Sequence, residues 1–176
     1  MKGYIETFNK YRYLLGNLIS RDLKVKYRRS SLGFLWSILN PLLMMLVVTT
    51  VFQYVMKFDT SQISDFTIFY LTGSLIYNFV SEATSTALTS VVASSALIKK
   101  VYIPKYLFPL EKTLFSFVNM LLSLIALVIM LIVRRTPITW TVLLFPIPLL
   151  YTLIFCIGFG LILATLNVFF RDIAHL

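Results

Sequence analysis

Four long apolar runs divide the chain, from about Phe34 to Met56, Phe66 to Val92, Thr113 to Val133 and Val142 to Val168. Each exceeds the ~20 residues needed to cross about 30 Å of hydrocarbon, so the pattern predicts four transmembrane helices. Ahead of them the periodicity is that of a surface helix. At about 100° per residue, Tyr4, Ile5, Phe8, Tyr11, Leu14, Leu15, Leu18 and Ile19 share one side, with Glu6, Lys10, Asn17, Ser20 and Arg21 opposite. This predicts an amphipathic helix lying in the membrane interface. After Asp22 the segregation fails, and "KVKYRR" is expected as a turn in which Lys24, Lys26, Arg28 and Arg29 meet lipid head groups. Each such cation is worth about 1 kcal/mol beside an anionic leaflet. A solvated basic tail is the alternative. The expected division is an interface helix and basic turn over residues 1–31 and a transmembrane domain over residues 32–176.

Pro41 interrupts the first run. A helix beginning there and ending at Met56 would span only ~24 Å, whereas one beginning at Phe34 spans about 34 Å. The helix is therefore expected to start early and to pass through Pro41 with a kink, because the ring displaces the carbonyl of Ser37.

Polar residues inside the runs are not scattered. In the second, Ser74, Asn78, Ser81, Glu82, Ser85 and Thr89 fall within an arc of about 100°, bordered by Tyr70 and Tyr77. An ionisable group at membrane depth costs several kcal/mol unless it pairs or meets water, so Glu82 is expected to face protein or a hydrated path. The hydroxyl residues carry two readings, a polar path and tight helix packing. The third run carries Lys112, Ser116, Asn119, Ser123 and Ala126 on one stripe. The fourth carries Thr152, Cys156, Gly160 and Ala164 at intervals of four, the signature of close backbone approach. Pro146 and Pro148 should disturb its first turn. Tyr102, Tyr106 and Trp140 sit at expected interfaces, where amphipathic rings belong. Aromatics inside the runs suit core packing or stacking on sugar rings.

Composition agrees with a membrane class: 59% of the 176 residues are hydrophobic and 13% charged, against roughly 25% charged in soluble domains. The net charge of +9 does not imply nucleic acid, because the basic residues flank apolar runs. It sets topology instead. The segment before the first run carries eight basic residues against Glu6 and Asp22, and the segment after the second carries Lys99, Lys100, Lys105 and Lys112 against Glu111. Both are expected on the cytoplasmic side, with the N-terminus cytoplasmic and Arg134 and Arg135 as a departure on the outer side. The N-terminus lacks the short basic region and early apolar core of a cleaved signal. Cys156, the sole cysteine, reads as a buried inert thiol.

No phosphate-binding glycine loop is present, and His175 has no metal-ligand neighbours at recognisable spacing. No cofactor is expected on this chain. Any energy for transport must come from a separate subunit. An intramembrane lipid-processing enzyme using Glu82 and a non-transporting membrane anchor are the competing classes. Two cytoplasmic stretches suit contact with a motor: Ser94 to Lys112, where Ser94 or Ser95 can cap a short helix ending before Pro104, and "RDIAHL" after the fourth run. Ordinary interfacial loops with snorkelling lysines are the alternative for both.

The blocks "RDLKVKYRRSSLGFLWSILNPLLMMLVVTTVF", "SALIKKVYIPKYLFPL" and "NVFFRDIAHL" resemble the permease subunit of ABC exporters for polysaccharides and polyol phosphates, the type that moves O-antigen, capsule or teichoic acid precursors. The resemblance implies an all-α membrane protein of the bacterial inner membrane with an interface helix and six spans, of which four are expected here, as in the first two-thirds of such a permease. It implies two permease copies working with two ATPase subunits that hold ATP and Mg, and a lipid-linked glycan as cargo. Arg21, Lys24, Lys26, Arg28 and Arg29 would then lie at the substrate entrance. Tyr70, Ser74, Tyr77, Asn78, Ser81, Glu82, Ser85 and Thr89 would form the channel face. Ser95, Lys99, Lys100, Tyr102 and Lys105, with Arg171, Asp172 and His175, would contact the ATPase.

Overall fold

The computed structural model describes residues 2–28, 33–56, 65–136 and 140–175. All regular structure among them is helical: α1 (Lys2–Arg28), α2 (Leu35–Thr50), α3 (Phe66–Ala93), α4 (Ser95–Ile98), α5 (Leu107–Arg134) and α6 (Pro146–Phe169). A π-helical turn at Val51–Val55 prolongs α2, and 3-10 turns at Trp140–Leu144 and Arg171–His175 flank α6. Among the described residues three stretches are long and apolar enough to cross a membrane: Leu35–Gln53, Leu107–Arg134 and Pro146–Phe169. The second expected span coincides with the 28-residue α3, whose composition is too polar to place it with those three.

Three apolar clusters stack along the bundle and fix its directions. At one end Leu15 of α1 meets Ile103, Leu107 and Phe108, with Leu97 and Ile98 packed against them. In the middle Phe79 and Ala83 of α3 meet Met120 of α5 and Leu149 and Cys156 of α6. At the far end Met45 of α2 and Leu71 and Leu75 of α3 meet Leu127 of α5. Thus α2 and α5 run one way, α3 and α6 the other. The α3 helix is the centre of the bundle, and Thr67, Leu71, Leu75, Phe79, Ala83, Ala87 and Ser90 form its buried stripe at helical spacing. The small-residue stripe of α6 does what its spacing predicts. Cys156, Gly160 and Ala164 are buried, and a Cβ added at Gly160 would stand 3.0 Å from that of Ala87 and 3.4 Å from Oγ1 of Thr113. Helices α3, α5 and α6 come close there, and any added side chain would have to push its neighbours aside.

Several boundaries differ from expectation. The basic segment is not a turn: α1 continues through Asp22, Lys24, Lys26 and Arg28. The reason is visible in the register. Leu15, Leu18, Asp22 and Lys26 lie at spacings of three, four and four on one face. Leu15 and Leu18 are buried, while Asp22 and Lys26 pair with residues of α5 and α3. The helical period persists, but its inward residues change from apolar to charged. The side chains of Tyr4, Ile5, Glu6, Phe8, Lys10 and His175, and all of Arg29, lie outside the described residues.

The third helix begins at Leu107, six residues before the expected Thr113, so Leu107 to Lys112 belong to α5 rather than to the connecting segment. The fourth begins at Pro146 rather than Val142. Pro lacks an N–H and suits the first helical turn, whose donors have no intrahelical acceptor, so Pro146 and Pro148 start the helix while Val142 falls in the preceding 3-10 turn. Pro41, by contrast, lies inside α2, which starts at Leu35 as the length argument requires. Gly33, with φ of +49°, makes the left-handed turn into that helix.

Candidate functional site

Polar residues from four helices of the apolar bundle converge on one place. Lys26 of α1 donates to Oε1 of Glu82 on α3 at 2.9 Å, and Oε2 of Glu82 accepts from Nδ2 of Asn119 on α5 at 3.0 Å. Oδ1 of Asn119 accepts from the Tyr27 hydroxyl at 2.6 Å and from Oγ of Ser37 at 3.1 Å. Tyr27 and Ser37 also share a short hydrogen bond, and Oγ of Ser123 donates to the Ser37 carbonyl at 2.9 Å. Four helices are thereby joined through one amide. The Lys26 ammonium also stands 5.3 Å from the centre of the Phe115 ring, a cation–π distance.

This network borders a cavity of about 1260 Å³ between α1, α2, α3 and α5. Trp36, Asn40, Pro41 and Met44 contribute from α2, and Asn119, Met120 and Ser123 from α5. Of the expected channel face, Tyr70, Ser74, Tyr77, Asn78 and Glu82 line it, whereas Ser81, Ser85 and Thr89 are exposed outside the lining. Ser74, Ser85 and Thr89 turn their hydroxyls onto carbonyls of their own helix, one turn back. The stripe therefore divides along α3, one part bordering the cavity and the other exposed outside it. Pro41 lies at the cavity wall.

The expected entrance cations divide by face. Arg21, Lys24 and Arg28 border a shallow hollow of about 520 Å³ on the outer side of α1 with Asn17, Ser20 and Val25. Among the described entrance cations Lys26 alone faces the cavity.

A second charged cluster was hidden in the sequence. Asp22 pairs with Arg21 at 2.8 Å and with Lys112 through a short contact, and Lys112 lies 3.6 Å from Oε2 of Glu111. Glu111 is 2% exposed, and its Oε1 has no hydrogen-bond partner among the described residues, as is true of Oγ of Ser116. Burial alone would raise the Asp22 carboxyl, but hydrogen bonds and charge from Lys112 and Arg21 outweigh it and hold the group below its ordinary value. Sequence reading places Lys112 on the stripe of the third run and Arg21 at the entrance, and counts Asp22 and Glu111 as segment charge, without pairing them. The signal that could have found them is that Asp22 continues the Leu15, Leu18 register.

At the same end, Ser95, Lys99, Lys100, Tyr102 and Lys105 are exposed around α4, and Arg171 and Asp172 are exposed in the turn after α6. The α4 helix forms where a cap was expected. Ser94 occupies the cap position, its carbonyl accepting from Leu97 and Ile98, but its hydroxyl makes no capping bond. Asn167 ties the end of α6 to α3 by donating to the Leu88 carbonyl at 3.0 Å. At the opposite end Arg134 donates to Oγ1 of Thr67 at 3.1 Å and lies 3.8 Å from Asp65, which caps α3. Of the two arginines expected to depart from the charge rule, Arg134 is therefore locally paired.

An apolar helical bundle with polar groups gathered at a cavity and a basic, exposed loop at one end is the form of a transporter membrane subunit, and the chain belongs to the ABC-2 type transporter family, whose model matches residues 13–176. It is 37% identical over 168 residues to the O-antigen export system permease protein RfbA of Myxococcus xanthus, covering 95% of this chain and 63% of that one. Against the protein of the same name from Klebsiella pneumoniae it is 34% identical over 175 residues, covering 93% and 65%. Similarity to the capsule polysaccharide export inner-membrane protein CtrC of Neisseria meningitidis is 26% over 96 residues, covering 54% and 36%. The chain thus spans a little under two thirds of the length of the O-antigen permeases it matches.

Proposed function

We propose that this chain forms the membrane path of an ATP-driven exporter that moves a lipid-linked polysaccharide or polyol phosphate across the bacterial inner membrane. The observation that carries the reading is the cavity of about 1260 Å³, in which hydroxyls, amides and aromatic rings stand among apolar side chains, in a bundle of this family. Hydroxyl and amide groups can exchange hydrogen bonds with a sugar chain as it slides, and rings such as Trp36, Tyr70 and Tyr77 offer faces for sugar stacking.

In this reading α3 is a fourth span. It runs against α5 from Leu71 beside Leu127 to Ala87 near Thr113, so it crosses wherever α5 crosses. The end bearing α1 and α4 is cytoplasmic, following the basic segments. Two such permeases work with two separate ATPase subunits carrying ATP and Mg, which dock on Ser95 to Lys105 and on Arg171 to His175. Their motion reaches the cavity along α3 and α5.

Co-purification with the ATPase of its own transporter tests the docking surface directly. The wild-type chain is expected to retain the ATPase, and the double charge reversal Lys99→Glu, Lys100→Glu to lose it while keeping the same melting curve. Unaltered capture by the reversed chain removes the docking assignment. No capture by either chain, and no glycan export on co-expression, removes the transporter reading.

A further inference from the structure

Among the described residues lining the cavity there is one cation, Lys26, and one anion, Glu82, and they are bound to each other. The two are not equally committed. Glu82 has both oxygens engaged, one by Lys26 and one by Asn119, so it keeps a charge-assisted partner if Lys26 leaves. Among the described residues Lys26 uses one of its three N–H donors, on Glu82, and the Phe115 ring holds its ammonium in place. Side-chain exposures of 35% for Lys26 and 31% for Glu82 leave both open to the cavity.

We propose that Lys26 is the anchor for a phosphate group in this cavity, and that Glu82 is its built-in competitor. In the empty cavity the ion pair satisfies both charges and holds α1 against α3. An incoming phosphate takes the ammonium, and Glu82 falls back on Asn119 alone. Uncharged sugar cannot do this, because displacing a carboxylate from an ammonium needs an acceptor of at least equal charge. A phosphate, at about −1.5 to −2 for a monoester near neutral pH, exceeds it. The exchange also releases the tie between α1 and α3 without disturbing the Tyr27, Ser37 and Asn119 bonds. This deepens the reading of the cavity as a cargo path and rests on it.

The phosphate can belong to a lipid head group or to a soluble molecule, and the test separates them. Trp36 lines the cavity, and the other tryptophan, Trp140, is exposed at the opposite end of the bundle. In a Trp140→Phe background Trp36 therefore reports alone. The full chain in phosphatidylcholine nanodiscs is titrated with inorganic diphosphate at constant ionic strength. In a second arm, phosphatidic acid replaces part of the phosphatidylcholine.

A saturable change in Trp36 emission is expected in at least one arm. A response to phosphatidic acid alone assigns a lipid head group, to diphosphate alone a soluble phosphate, and to both a site reading phosphate itself. Lys26→Met should weaken the response by about tenfold or more, the scale of one charge-assisted hydrogen bond, and Lys26→Arg should restore most of it. Glu82→Gln should tighten binding by roughly threefold, since the opposing pair is partly exposed and weak. That sign does not depend on Lys26→Met folding. No response in either arm, an unchanged response in a folded Lys26→Met, or weaker binding in Glu82→Gln overturns the proposal. Because the readout needs neither ATPase nor turnover, failure here with co-purification intact removes the phosphate anchor and leaves the transporter reading standing.

Discussion

Two lysine–carboxylate contacts hold α1 to the bundle, one turn apart on the same face, and they are built differently. At Asp22 and Lys112 the side chains are 16% and 25% exposed, a second carboxylate, Glu111, is buried beside them, and the Leu15–Leu107 apolar cluster lies next along the helix. At Lys26 and Glu82 the exposures are 35% and 31%, and the neighbour is a cavity. The first has no room to exchange partners, and the second has room and spare donors. Burial decides what such a pair is for. Removing one member of a buried pair strands a charge, whereas a wet pair can trade its partner for another at small cost.

The largest effect is expected at the buried cluster. Lys112→Met leaves Asp22 and Glu111 facing one another with only Arg21 to balance them. The expected loss is about 2–4 kcal/mol, just below the usual range for a fully buried pair because both side chains keep some exposure. Thermal unfolding in detergent should show it, and proteases should gain access to α1 at Lys24. A loss no greater than that of Lys26→Met would erase the distinction between the two contacts.

Next in size is Asn119→Leu. It removes the amide to which Tyr27, Ser37 and Glu82 all bond, within a half-buried network. Each polar group left without a partner costs about 1–3 kcal/mol if water cannot reach it. The cavity supplies water on one side, so about 1–2 kcal/mol is expected, with α2 loosened from α5. Amide exchange of α2 that is unchanged in this variant would show that the network does not hold that helix.

Acidification separates the two contacts from another direction. Asp22 lies below its ordinary 3.8. A depressed folded-state value contributes stability that is fully present above the unfolded value and lost as pH falls through the folded one. The contribution of Asp22 to the docking of α1 should thus be complete above about pH 4 and weaken below it. The charged groups facing Asp22 are Arg21 on its own helix and Lys112 and Glu111 on α5. The effect should be smaller than that of Lys112→Met, because a neutral Asp22 still accepts a hydrogen bond from the lysine. Asp22→Asn should flatten the acid limb of α1 protection measured by amide exchange, and an unchanged limb would place the titration elsewhere.

How much of this could be read from the chain alone follows from what each residue's signal depends on. Hydrophobic period gave the helices because α2, α5 and α6 bury or present apolar side chains along most of their length, and the four-residue stripe of α6 named its contact at Gly160 without any partner being known. The polar arc of α3 located Glu82, because a carboxylate among apolar neighbours demands an explanation. What stayed invisible was pairing. Asp22 looked like the end of a helix since its inward position is charged, and only the α5 surface opposite it, with Lys112, makes that position a continuation. Asn119 read as one member of a small-residue stripe, although it is the amide on which four helices converge. Such roles belong to residues distant in sequence, and neither period nor composition carries that information. The start of α5 at Leu107 was missed for a related reason: the lysine and glutamate before Thr113 suggested a loop, and Lys112 meets Asp22 only once α1 lies against α5.

The smallest stability effect is expected for Lys26→Met, and that is what makes it the sharpest of the set. An ion pair with both side chains about a third exposed is worth about 0.2–1 kcal/mol. Glu82 keeps Asn119 and gains water from the cavity, so its charge is not stranded when the ammonium goes. The methionine stem still covers the Phe115 ring, so the packing of α1 is largely kept. A melting temperature within a few degrees of wild type is therefore expected, together with a lost response of Trp36 to phosphate. A residue kept mainly to hold α1 in place would show the reverse, a large fall in stability with the phosphate response intact. Making Lys26→Met and Lys112→Met together settles whether the two ties act separately. They face different partners on α3 and α5, so their losses should add to within about 0.5 kcal/mol. A markedly smaller combined loss would mean that α1 releases as one unit when either contact breaks.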